Sequence, residues 1–126
     1  MIANELELFT YLKDRYDHSL QRTQDIFDSY DCYTNKLFIE LKCRTWHYDQ
    51  LLIEKIKYDR LIKESDRLGK TPIYINSTPK GIFGFKIKEI PIEWIEKDLP
   101  KTTDFENRSL VKKVIGLIDT KHSTVL

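Results

Sequence analysis

The spacing of apolar positions divides the chain into segments of two periods. Leu8, Phe9, Leu12 and Tyr16 recur at helical intervals, which predicts an amphipathic helix over residues 4–17. Asn4 stands at its N-cap, and Glu7 falls at the reciprocal capping-box position. The pattern breaks at His18 and Ser19. Residues 20–24 then read as a short strand, the Tyr-rich run 28–34 as a second, and 37–43 as a third. Thr34-Asn35-Lys36-Leu37 joins the last two as a tight hairpin, because Asn tolerates positive φ. Helical periodicity returns over residues 46–68 through Leu51, Leu52, Ile56, Leu61, Ile62 and Leu68, and Gly69 supplies a stop. Pro72 opens a strand over 73–76, residues 77–81 form a turn, and 82–87 form a further strand. Glu93-Trp94-Ile95 fits neither period. Residues 110–118 read as a closing strand, through the alternation of Val111, Lys113, Ile115 and Leu117, with a short helix as the alternative. This order predicts an α+β or α/β fold with a mixed central sheet flanked by helices.

Composition sets outer bounds. The 126 residues are 40% hydrophobic and 33% charged, enough for one domain with a real core and a polar surface. Four Gly and four Pro exclude collagen-like and low-complexity chains. No apolar run approaches the roughly 18 residues of a membrane span. The first residues lack the basic start and apolar stretch of a signal peptide, so a cytoplasmic location without membrane partners is expected. Cys32 and Cys43 make neither a disulfide framework nor a four-ligand zinc site, and both are expected to be reduced and buried. Residues 1–35 carry a balance of −4 and residues 36–70 one of +3. An acidic cluster beside a basic helix would suit a cation site facing a phosphate backbone, and ordinary surface mixing gives the same balance.

The candidate chemistry lies around the hairpin. Alternate side chains of a strand share a face, so Glu40 and Lys42 point one way and Ile39, Leu41 and Cys43 the other. With Asn35-Lys36 as the loop, Asp31 pairs with Glu40 across the strands, Cβ atoms about 5 Å apart. Like charges so placed destabilise unless a cation lies between them. Two carboxylates are what Mg²⁺ commonly takes from a protein, and Lys42 could hold a water or a phosphate oxygen nearby. Such a group suits phosphodiester hydrolysis. An ion pair at a sheet rim is the plainer alternative.

Asp31 followed by Glu40-Leu41-Lys42, after one helix and before another, resembles the PD-(D/E)xK phosphodiesterase superfamily of restriction-endonuclease-like nucleases. The run 39–44, followed by 48–55 and Lys57-Tyr58, is similar to small members found in bacteriophages and bacteria. The resemblance implies an αβββαβ core over residues 4–77, with residues 81–126 as C-terminal strands and extension. It implies cleavage of DNA with Mg²⁺, or Mn²⁺ as substitute. Asp31 and Glu40 would bind the metal, and Lys42 would assist water activation. Tyr30 stands where the motif has proline. Asp28 is a second candidate, although it reaches Glu40 only with a one-residue loop or a bulge. Glu5 or Glu7 would supply an acidic residue from the first helix, with Glu7 also explained as a cap. Gln50, or Tyr48, would match the Gln or Tyr that members carry on the second helix.

Arg44 suits a bidentate phosphate contact. Lys55, Lys57, Arg60 and Lys63 read as a solvated helix face, with Lys55 and Lys57 the candidates for DNA contact. His47 has no helical His partner for a zinc motif, and residues 100–104 read as a polar turn. Two other functions fit the same residues. One is a catalytically inactive nuclease-like module that binds nucleic acid or a protein through Tyr30, Tyr33, Tyr48, Tyr58 and Tyr74. The other is an accessory phage protein whose charged faces serve assembly. Cleaving both strands of a duplex would suit a homodimer.

Overall fold

The protein is described from a computed structural model covering residues 2–23, 31–100 and 109–126. Helix α1 spans Glu5–Arg15 and starts as its cap residues dictate. The Asn4 side chain accepts from the Glu7 N–H at 2.9 Å, and the Glu7 carboxylate accepts from the Ala3 N–H at 2.8 Å. Strands β1 (Gln21–Arg22), β2 (Asp31–Tyr33), β3 (Leu37–Cys43) and β4 (Gln50–Glu54) follow, then helix α2 (Lys55–Leu68). Gly69 ends α2 in the left-handed region at φ 66°, which glycine adopts without strain. Strands β5 (Thr71–Thr78), β6 (Gly81–Lys86), β7 (Glu93–Pro100), β8 (Leu110–Asp119) and β9 (Thr124–Val125) complete the order. Asp28 and Tyr30 lie outside the described residues, as do residues 101–104.

The fold is mixed α and β, as expected. A six-stranded mixed sheet runs β1-β2-β3-β5-β6-β9, in which β3 and β5 are parallel and the other neighbours antiparallel. Two apolar layers cover it. On one face Leu8 and Leu12 of α1 pack with Cys32, Ile39, Leu41, Ile75 and Ile82. On the other, Phe38, Tyr74 and Phe85 meet Leu61 of α2 and Leu51, Ile53 and Ile118. Both cysteines are free; Cys32 is buried as expected, whereas Cys43, at the end of β3, is only partly covered, and desolvation pushes their thiols up to about 12 and about 11. No helix among the described residues is long and apolar enough to cross a membrane.

Two expectations need correction. The sheet is not alone: β4, β8 and β7 form a second, three-stranded antiparallel sheet in that order. Consequently residues 46–68 are not one helix. Leu51 and Ile53 alternate with Leu52 and Glu54, and pairing with β8 holds them as a strand. The helix begins at Lys55, where Tyr58, Leu61, Ile62 and Ser65 supply its inward face. Ile56, counted in the apolar pattern, is 80% exposed. Leu61→Ala should therefore destabilise the protein by about 2–5 kcal/mol. Ile56→Ala should stay within about 0.5 kcal/mol. Urea unfolding of the two variants checks the phase of α2, and equal losses would contradict it.

Candidate active site

The hairpin sets the register of the acidic pair. The Thr34 N–H donates to the Leu37 carbonyl at 3.0 Å, and Thr34 Oγ1 accepts from the Lys36 and Leu37 N–H groups at 3.2 and 3.1 Å. Asn35 and Lys36 are thus the two loop residues. Tyr33 pairs with Phe38, Cys32 with Ile39, and Asp31 with Glu40, as the sequence predicts. Asp31 is 2% exposed and Glu40 6%.

The positive charge between them comes from α2. Arg60 Nη1 donates to Asp31 Oδ2 at 2.6 Å. Its Nη2 lies 3.4 Å from Asp31 Oδ1 and 3.2 Å from Glu40 Oε1. Arg60 borders the face of α2 that Leu61 anchors, so the helix delivers its guanidinium to the acidic pair. This corrects the reading of Arg60 as a solvated helix residue. The signal in the sequence was the pair itself, which demands a cation and does not say which. Glu40 Oε2 is buried without a hydrogen-bond partner among the described residues. Burial, then the charge of Asp31, push Glu40 up to about 7, against the pull of Arg60 and Lys57. The hydrogen bond to Asp31 holds Arg60 above its ordinary value.

Lys42 shares the Glu40 face of β3 and is half-buried. Burial, then Lys57 and Arg44, lower its pKa, while Glu5 and Glu54 raise it. Glu5 comes from α1, where its carboxylate accepts from the Cys43 N–H at 3.4 Å, so of the two acidic candidates on that helix it is the one at the end of β3. Glu7 serves the cap. Lys57 is exposed, and its charge reaches both Glu40 and Lys42. Lys55 instead pairs with Asp59 at 2.8 Å and lies over the rings of Trp94 and Tyr58.

Other candidates move. Arg44 turns inward: Nε donates to Asn76 Oδ1 at 2.7 Å, and Nη2 to the Tyr74 hydroxyl and the Leu52 carbonyl. Asn76 and Tyr74 pair with Lys42 and Glu40 from β5, both are buried, and the sequence reading had not placed them beside the site. Asn76 Nδ2 has no hydrogen-bond partner among the described residues. Gln50 and Tyr48 are not on a helix. Gln50 opens β4, and Tyr48 precedes it, 65% exposed. Both line a cleft of about 590 Å³ with Arg44 and Lys97. His47 pins that segment, with Nδ1 2.8 Å from Thr78 Oγ1. Of the tyrosines considered for stacking, Tyr74 is buried and Tyr58 packs edge-on against Trp94. Among the described residues no cluster of three or more His, Cys, Asp or Glu side chains forms.

No protein-family model, no curated protein and no solved structure matches the chain.

The acidic pair makes stability depend on pH with a definite sign. The folded pKa of Glu40, about 7, lies above its ordinary 4.5. Its contribution is therefore present below pH 4.5 and lost as pH rises through about 7. Glu40→Gln has no such loss. Relative to wild type, that variant should gain about 3 kcal/mol between pH 4.5 and pH 8, as urea unfolding at the two pH values would read. A constant difference would contradict the burial of a charge at Glu40.

Proposed function

We propose that this protein is a Mg²⁺-dependent nuclease of the PD-(D/E)xK type that hydrolyses phosphodiester bonds in DNA, with Mn²⁺ able to substitute. The observation that carries the reading is the cross-strand pairing of Asp31 with Glu40, with Lys42 on the same face of β3. The order α1, β1 to β3, α2 and a β5 parallel to β3 supports it, with β4 as an insertion. The donor set fits the metal: two carboxylates offer hard oxygens, and Glu40 Oε2 is an acceptor that no described residue satisfies. When bound, the metal would polarise a phosphoryl oxygen and lower the pKa of a water.

The residues do the rest. Asp31 and Glu40 fix the cation position through the ladder that pairs them. Lys42, with its proton loosened by burial and by Lys57, orients the attacking water and takes up charge as the phosphoryl group changes. Lys57, exposed at the rim, offers a cation to the DNA backbone. Arg44 acts one step back, tying β3 to Asn76, Tyr74 and the Leu52 carbonyl of β4.

One observation favours a second reading. Arg60 already offsets part of the pair's charge, which suits a catalytically inactive module that binds nucleic acid or a protein without metal. Cleavage of plasmid and branched DNA with Mg²⁺ or Mn²⁺ separates the two. Wild type should cut, and Glu40→Ala and Lys42→Ala should each lose about 100-fold or more in rate. Equal activity in all three would remove the site. DNA binding by wild type that is indifferent to metal, with no cleavage, would favour the module.

A further inference from the structure

The Arg60 contacts raise a geometric problem for any metal at this place. Its two terminal nitrogens reach three of the four carboxylate oxygens: Asp31 Oδ2 at 2.6 Å, Asp31 Oδ1 at 3.4 Å and Glu40 Oε1 at 3.2 Å. Arg60 leaves Glu40 Oε2 over, buried and without a hydrogen-bond partner among the described residues. Mg²⁺ needs its ligand oxygens at about 2.0–2.1 Å in near-octahedral order. With the guanidinium against three of these oxygens, an octahedral shell of that radius is obstructed on the Arg60 side, and the two positive charges would repel at that distance.

Arg60 has somewhere else to go. Its side chain is 35% exposed, so it reaches the pair from the solvent side and is not locked in the core. Glu64 lies one helical turn further along α2, at the spacing where helix side chains meet. The hydrogen bond from Arg67 holds the Glu64 carboxyl low, and Arg60 adds the smallest of the contributions to it. Glu64 is bound by Arg67 at 2.8 Å, and a carboxylate has acceptor room for a second guanidinium.

We propose that Arg60 is a resident counter-ion for Asp31 and Glu40, which stabilises the pair in the metal-free protein and must swing towards Glu64 before a divalent cation enters. This rests on the metal-site reading above. Arg60 touches neither substrate nor metal: it offsets the charge of two carboxylates whose register the Asn35-Lys36 hairpin sets. It also sets the metal concentration at which the site fills, because the cation binds only the fraction of molecules in which Arg60 has left.

Mn²⁺ binding by wild type and Arg60→Gln, followed by electron paramagnetic resonance of the free ion, tests this without DNA. Arg60→Gln should bind Mn²⁺ at least about tenfold more tightly, since no competitor remains. Equal or weaker binding by the variant, with measurable binding by wild type, overturns the role of Arg60 and leaves the metal site intact. No binding by either protein at millimolar Mn²⁺ removes the metal site itself, and the role of Arg60 with it. If Arg60→Gln does not fold, wild type alone decides. Labelling of Arg60 by phenylglyoxal, read by peptide mass spectrometry, should rise several-fold when Mg²⁺ is added. Unchanged labelling with the metal bound overturns the proposal.

Discussion

Asp31 and Glu40 place two carboxylates on one cross-strand pair, in a layer almost closed to water. Burial raises the free energy of each charge, and the charges raise each other's. The Arg60 guanidinium offsets this only in part: it meets three carboxylate oxygens, and Glu40 Oε2 has no hydrogen-bond partner among the described residues. The raised pKa of Glu40 is the same shortfall expressed as proton affinity. A cation with more charge and a smaller radius would satisfy the pair more completely than Arg60 does, and that is the physical ground for a metal at this place.

The fold is arranged to hold this pair in position. The two-residue loop at Asn35-Lys36 fixes the register, and a slip of one residue would send Glu40 into the apolar layer under α1. The parallel pairing of β3 with β5 brings Tyr74 and Asn76 beside Glu40 and Lys42. Arg44 then joins that edge to β4, so the second sheet is tied to the end of β3 by side-chain hydrogen bonds. Helix α2 lies over the same face, anchored by Leu61, and carries both Arg60 and Lys57 to the acidic pair.

Local signals made the first half of this legible. The cap at Asn4, the alternation along β3 and the hairpin at Asn35-Lys36 depend on neighbours in sequence, and each predicts what forms. The start of α2 is not legible in the sequence, because Leu51, Leu52 and Ile53 suit a buried strand as well as a helix. Only the partner, β8, more than sixty residues away, decides between them. Gln50 and Tyr48 moved off the helix for the same reason. Arg60 was hidden differently. A basic residue on an amphipathic helix looks solvated until the strand it faces is known, and that strand is three-dimensional information. Arg44 likewise looked like a free phosphate contact until Asn76 and Tyr74 came alongside it.

The most direct test is crystallographic. A crystal soaked in Mn²⁺ should give an anomalous difference peak between the carboxylates of Asp31 and Glu40, with the Arg60 side chain withdrawn from both. A crystal with Arg60 still bridging the two carboxylates, and no peak beside them at high Mn²⁺, would contradict the account.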